Sequence, residues 1–286
     1  MTRRNVLALL AAVPLLSQVV RGSSTLVQAD LETVIAEADR QGWSQLPIGE
    51  LMGKIGQLFL GVPYVSGTLE GPGVEICRIE LGGMDCVTFY ENVLGIARMI
   101  KLGGSSMNDL RKQITLTRYR GGVINGYQSR LHYTADWILD NVAKKTVVDI
   151  THAVLNGRSF DKEVDFMSSH PKYYPALNED RTLIDEFKAI EEAINDATLH
   201  YVPKEEVPAI ESKLQTGDIV AITTSKNGLD YAHTGLILVR DSEARFMHAS
   251  TSKKKVTIDV TISRYLQTVA THTGITVVRP LEPVKT

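Results

Sequence analysis

Only two cysteines, Cys77 and Cys86, occur in 286 residues, so at most one disulfide can form within the chain and no Cys-x-x-Cys ligand pair exists. His-Glu-x-x-His and closely spaced His/Asp clusters are missing too, which sets zinc aside and leaves no metal or other cofactor expected. There is no Gly-x-Ser-x-Gly for a serine hydrolase and no glycine-rich phosphate loop. Neither sign of charge dominates, at formal net −2, so nothing points to a nucleic-acid partner. The apolar run Asn5 to Val20 is interrupted by Pro14, Ser17 and Gln18 and is too short for a secure membrane span.

What that run does fit is an export signal. Arg3-Arg4 supply the positive start, the apolar stretch follows, and Val27-Gln28-Ala29 is a small-x-small cleavage site before Asp30. Cleavage there removes Arg3, Arg4 and Arg21 and no acid, taking the formal net charge from −2 to −5. The paired arginines are a loose match to a twin-arginine signal. No cysteine follows the apolar run to carry a lipid, so a periplasmic protein without a stable membrane anchor is expected. Residues 1–29 are then the signal and 30–286 a single domain, with a helical insertion at about 103–212. The 43% hydrophobic content suffices for one large core or two modest ones.

Apolar spacing predicts helices over Leu31 to Ala38, Ile48 to Leu60, Asn108 to Thr115, Arg130 to Val142 and Thr182 to Ile194. From Leu214 the period changes, and Asp218 to Thr224, Tyr231 to Val239, Ala244 to Ala249 and Lys255 to Val260 read as strands, with Ile275 to Val278 closing the sheet. Helices first and short, closely spaced strands last define an α+β fold with antiparallel pairing.

The chemistry centres on Cys86. The loop Leu81 to Asp85 precedes it, and Val87, Tyr90, Val93, Leu94, Ala97 and Ile100 then recur as one apolar stripe of a helix ending near Leu102. A thiol on the first turn faces unpaired N–H groups and the positive end of the helix dipole, which favour thiolate. Against this stands the bland alternative of a Cys77–Cys86 disulfide in an oxidising compartment, whose short loop and blocked thiol make a free Cys86 the favoured reading. Among seven histidines, His233 begins one strand and His248 nearly ends the next. Antiparallel pairing puts both at one edge of the sheet, so a Cys86–His233–His248 line follows. His152, His170, His200 and His272 read as structural.

Pro63-Tyr64 with Gly67, then Asp85-Cys86, Gly217-Asp218, His233-Thr234-Gly235 and His248 resemble the NlpC-type papain-like cell-wall hydrolases. Gly67-Thr68-Leu69-Glu70, Cys86-Val87-Thr88 and Arg130-Leu131-His132-Tyr133 with Trp137 narrow the resemblance to the N-acetylmuramoyl-L-alanine amidase-like branch, over roughly residues 45–282. The resemblance implies a papain-like fold, with the Cys helix packed on a C-terminal sheet. Cys86 is then the nucleophile, His233 the base, His248 the third member and Tyr64 an oxyanion partner. Thr68, Glu70, Asp85, Arg130, His132, Tyr133 and Trp137 would line the substrate groove, Arg130 pairing with a stem-peptide carboxylate and Tyr133 or Trp137 packing on the sugar.

The implied substrate is a muropeptide cut between N-acetylmuramic acid and L-alanine. The usual superfamily cut, between D-glutamate and a diamino acid, is the alternative. Val65-Ser66-Gly67 replaces the Trp-Gly-Gly common after Pro-Tyr, which favours a different pocket without identifying the bond. A non-catalytic muropeptide-binding module, a structural envelope protein and transglutaminase-like acyl transfer remain as other classes. The sequence shows no separate wall-binding domain, which favours soluble fragments as substrate, and assigns no oligomeric state.

Overall fold

The computed structural model describes residues 30–284, so the signal segment read from residues 1–29 lies outside them. Helices α1 (Leu31–Arg40), α2 (Ile48–Leu58), α3 (Cys86–Lys101), α4 (Met107–Arg118) and α5 (Thr134–Ala143) come first. Strands β1 (Val147–Asp149) and β2 (Arg158–Ser159) follow, then α6 (Phe166–Ser169), α7 (Pro175–Glu179), α8 (Leu183–Asp196), β3 (His200–Pro203) and α9 (Val207–Ile210). The chain ends in β4 (Ile219–Thr224), β5 (Tyr231–Arg240), β6 (Glu243–Ser250), β7 (Lys255–Thr261), α10 (Ile262–Leu266) and β8 (His272–Pro280). None of the described helices is long and apolar enough to cross a membrane.

Together these elements make a mixed α+β fold with one antiparallel sheet ordered β2-β3-β8-β4-β5-β6-β7, β1 pairing with β8 beside β3. Every residue of β4 is buried, which requires cover on both faces. Alternation along the strands divides the interior accordingly. Ile219, Ala221, Leu236, Leu238 and Met247 face the core shared with α1 to α5, whereas Val220, Ile222, Ile237 and Phe246 face a smaller core closed by α9 and α10.

Three features depart from the sequence reading. Helix α5 begins at Thr134, four residues later than expected, because Leu131 N–H bonds the Arg118 carbonyl at 2.9 Å and Arg130 bridges Tyr119, holding this stretch extended. The stretch expected as a helical insertion also supplies β1, β2 and β3. And the strand around Ile275–Val278 lies inside the sheet, between β4 on one side and β1 with β3 on the other. Strand partners are set by distant residues, and local alternation carries no record of them.

Helix α3 is the central post. The expected single stripe is an understatement: every residue from Thr88 to Ile100 is buried. Several of its polar groups are paired, whereas Tyr90 Oη, Asn92 Oδ1 and Arg98 Nη1 are buried without a partner. Arg118 donates to Glu91 at 2.7 Å and to the Arg78 carbonyl at 2.5 Å, and Asn92 donates to the Glu80 carbonyl at 2.9 Å.

Candidate active site

Asp85 determines where α3 starts. Its Oδ1 accepts the N–H of Val87 at 3.1 Å and of Thr88 at 2.8 Å, while its own N–H donates to Thr88 Oγ1 at 2.9 Å, a capping box. Cys86 is thus the first helical residue and is partly exposed. The approach is laced to its neighbours: Met84 N–H reaches the Pro63 carbonyl at 3.1 Å, Val65 N–H the Met84 carbonyl at 3.0 Å, and Tyr64 N–H the Lys254 carbonyl at 2.9 Å. Tyr64 is half-buried and close enough to Cys86 and Asp85 that a charge on either would oppose ionisation of its phenol, which burial chiefly pushes up to about 12. Cys77 and Cys86 are both free thiols, and Cys77 is buried.

The resting state of Cys86 differs from the expectation. Burial, and then the Asp85 carboxylate beside it, push the thiol up to about 11, against the Thr234 hydroxyl and backbone N–H and its own N–H, which favour thiolate. The helix start is present, but the capping residue that creates it brings a negative charge. Asp85→Asn keeps a capping acceptor and removes that charge, so alkylation of Cys86 by iodoacetamide at neutral pH should accelerate severalfold. An unchanged pH–rate profile would show that Asp85 does not hold the thiol protonated.

The histidines come from a hairpin whose two turn residues, Asp241 and Ser242, have φ of 54° and 63°, as a tight hairpin turn requires. Strands β5 and β6 pair from Arg240–Glu243 up to Leu236–Met247. Beyond that point His233 Nε2 and His248 Nδ1 join them at 2.6 Å. Phe246 stacks on the fully buried His248, with ring centroids 4.6 Å apart, and Tyr265 from α10 meets its edge at 4.9 Å. Burial, followed by the neighbouring His248 and His272, lowers His233 to about 3. Burial also lowers His248 to about 4, although Asp259 opposes it. The Cys86 sulfur lies against Thr234, the residue after His233, and a charge on it would be felt by Tyr265, whose ring stacks 6.1 Å from that of His233. A neutral thiol and two neutral, linked imidazoles therefore share one end of the sheet.

The residues expected to line the substrate groove fare differently. Arg130 is buried and already paired, to Glu70 at 2.6 Å and Glu75 at 3.6 Å, with its guanidinium 4.9 Å from the Tyr127 ring centre. A substrate carboxylate would have to displace Glu70. His132 is held neutral, chiefly by burial, as its Nε2–H donates to the Tyr127 carbonyl at 2.9 Å between the rings of Tyr127 and Phe187. Tyr133 is buried, donating to Glu191 at 2.6 Å and accepting from Met167 N–H at 2.7 Å. Trp137, buried edge-on against Tyr90 at 5.0 Å, is likewise interior. Neither aromatic is free to stack on a sugar: Tyr133 is held by Glu191 of α8 and Met167 of α6, and Trp137 packs on Tyr90 of α3. Asp85 serves as the cap. Thr68 keeps a buried hydroxyl without a partner. Glu70 rims a groove of about 1010 Å³ that also bears Glu75, Glu179, Asp180 and Glu186.

Thr234, Asp259 and Tyr265 were not among the expected site residues. Asp259 was visible only as a polar residue in an alternating strand, and Tyr265 stands on a five-residue helix with too few turns for a periodic signal.

A helix-start thiol set against an antiparallel sheet that carries linked histidines defines an α+β chain with the parts of a hydrolase. The chain belongs to the AmiA-like family, described as N-acetylmuramoyl-L-alanine amidase-like, whose profile matches residues 54–276. This is an amidase-like family of cell-wall hydrolases. An N-acetylmuramoyl-L-alanine amidase structure from Bacteroides uniformis superposes with a TM-score of 0.77 at 36% identity, covering 82% of this chain and 99% of that one. A Bacteroides fragilis protein named as a proposed xylanase gives 0.73 at 32% identity, covering 78% and 98%. A Legionella pneumophila protein, at 19% identity and a TM-score of 0.62 over 90% and 99% of the two chains, shares the fold. No curated protein matches in sequence.

Proposed function

We propose that the protein is a cysteine amidase of the NlpC-type papain-like class, exported to the periplasm, that cleaves the amide between N-acetylmuramic acid and L-alanine in released muropeptides. The observation that carries this reading is the 2.6 Å bond between His233 and His248, beside a thiol at the first turn of a buried helix. The family supplies peptidoglycan-related chemistry, and the B. uniformis relative is named for this bond.

With thiol and imidazole both neutral at rest, the reaction is general-base catalysis. As the sulfur attacks the lactyl carbonyl, its proton passes to His233, so charge separation develops only along the reaction path. The Cys86 N–H, which the Asp85 cap leaves free while it takes those of Val87 and Thr88, receives the oxyanion together with the Tyr64 hydroxyl. The His233 imidazolium then protonates the L-alanine nitrogen, and the C–N bond breaks to leave a thioester on Cys86 and a free peptide amine. Water, deprotonated by His233, attacks the thioester, returning the thiol and releasing the muramic acid carboxylate. His233 ends neutral, so the cycle closes on hydrolysis and needs no cofactor.

Mass spectrometry of the products from a defined muropeptide tests the assignment. A peptide beginning with free L-alanine is expected. A fragment beginning at the diamino acid would instead mark a D-glutamyl endopeptidase, and an unchanged substrate would mark a binding module.

A further inference from the structure

Resting on the acyl-transfer role of the two histidines, we infer that Asp259 is a positioning residue that fixes which nitrogen of His233 is free to act as the base. The inference follows from proton bookkeeping. At 2.6 Å, one of His233 Nε2 and His248 Nδ1 donates and the other accepts. Distance alone cannot say which. The other nitrogen of His248 decides it.

His248 Nε2 is buried and has no hydrogen-bond partner, and Asp259 Oδ2 faces it at 3.6 Å. The carboxylate is itself held in that direction, Oδ2 accepting from Lys253 Nζ at 2.7 Å and Oδ1 from the Val260 N–H at 2.9 Å. An ionised carboxylate can only accept, so the hydrogen of neutral His248 belongs on Nε2, which makes Nδ1 the acceptor. His233 must then donate through Nε2, and its lone pair lies on Nδ1. That is the atom left to take the Cys86 proton.

When the proton arrives, the charge is shared with a bond that already points at His248, and Asp259 stabilises it from one ring further away. The 3.6 Å separation is longer than a hydrogen bond and shortens as positive charge develops. No proton moves to Asp259. The groups facing this pair are Asp259 on β7, Lys253 in the turn before it, Tyr265 on α10, Cys86 on α3, and His272 on β8, which lies across Tyr265.

Two variants of the full chain test the inference in opposite directions. Asp259→Asn removes the negative charge and, through its amide, can present either a donor or an acceptor to Nε2. It should lower kcat roughly 10- to 100-fold with KM unchanged. The acid limb of kcat/KM should move to lower pH, since protonated His233–His248 loses its anion. Lys253→Met leaves that anion unopposed, so its acid limb should move to higher pH with substantial activity retained. Nitrogen-15 NMR of the resting protein should find the hydrogen of His248 on Nε2, and on Nδ1 in at least part of the Asp259→Asn population.

Wild-type kcat in Asp259→Asn, or limbs that move in the same direction in both variants, would overturn the positioning role. So would a wild-type His248 protonated on Nδ1. Lys253 is exposed, so its variant remains informative even where Asp259→Asn fails to fold. Failure of the underlying reading is separately visible: a His233→Ala variant that still turns over would remove the histidine base altogether, whatever the NMR tautomer.

Discussion

Cys86→Ala is expected to abolish amide hydrolysis, a loss of roughly 10⁴-fold or more, while the melting temperature stays close to that of the parent. The two halves of this expectation have separate causes. Turnover disappears because no other thiol can substitute: Cys77 is buried, and burial raises its pKa. The fold survives because the cap comes from Asp85 and Thr88, the change removes a single sulfur atom, and alanine is an excellent helix residue. His233→Ala should lose activity to a similar extent but also cost about 1–3 kcal/mol of stability, since buried His248 Nδ1 would be left without its partner. Release of product at more than about a hundredth of the parent rate by Cys86→Ala would sink the nucleophile assignment. Matched thermal melts would show that a loss of activity is not a loss of fold.

The largest effect on stability is expected from breaking the ion pair under the same helix. Glu91 and Arg118 side chains are 1% and 2% exposed. Arg118→Met leaves a carboxylate in the core and an unpaired carbonyl at Arg78, and should cost about 3–5 kcal/mol, lowering Tm by roughly 10 °C. The double variant Glu91→Leu/Arg118→Met removes both charges and should recover most of that loss. The pH dependence has a definite sign. Burial already raises the Glu91 pKa despite Arg118, and loss of the guanidinium raises it further. Stability of the single variant should therefore fall as pH rises above the unfolded carboxylate range and improve toward acid, where Glu91 takes a proton. Urea denaturation at several pH values measures this, and a single variant indistinguishable from the double at neutral pH would show that the pair is not coupled.

Legibility varied with the range over which each feature is specified. Helix α3 could be read to within a residue because its cap and apolar spacing lie within one short stretch. The His233–His248 juxtaposition followed from two strands and a short turn, which fold back on themselves with little freedom. That Arg130, Tyr133 and Trp137 are buried and already partnered was not legible, for the converse reason. An arginine and two aromatics spaced three and four residues apart suit a sugar-binding wall as well as they suit an interior. The outcome depended on Glu70, Glu191 and Tyr90 arriving from other parts of the chain.

By itself, then, the amino-acid order determined the α+β class, the start of the Cys86 helix and the common edge of the two histidine strands, because capping, periodicity and tight turns act between near neighbours. Only the tertiary structure decided that the thiol rests protonated, that β8 runs inside the sheet, and that Asp259 faces His248. Desolvation and the fields of charges from distant segments have no local signature, and they exist only once the chain has packed.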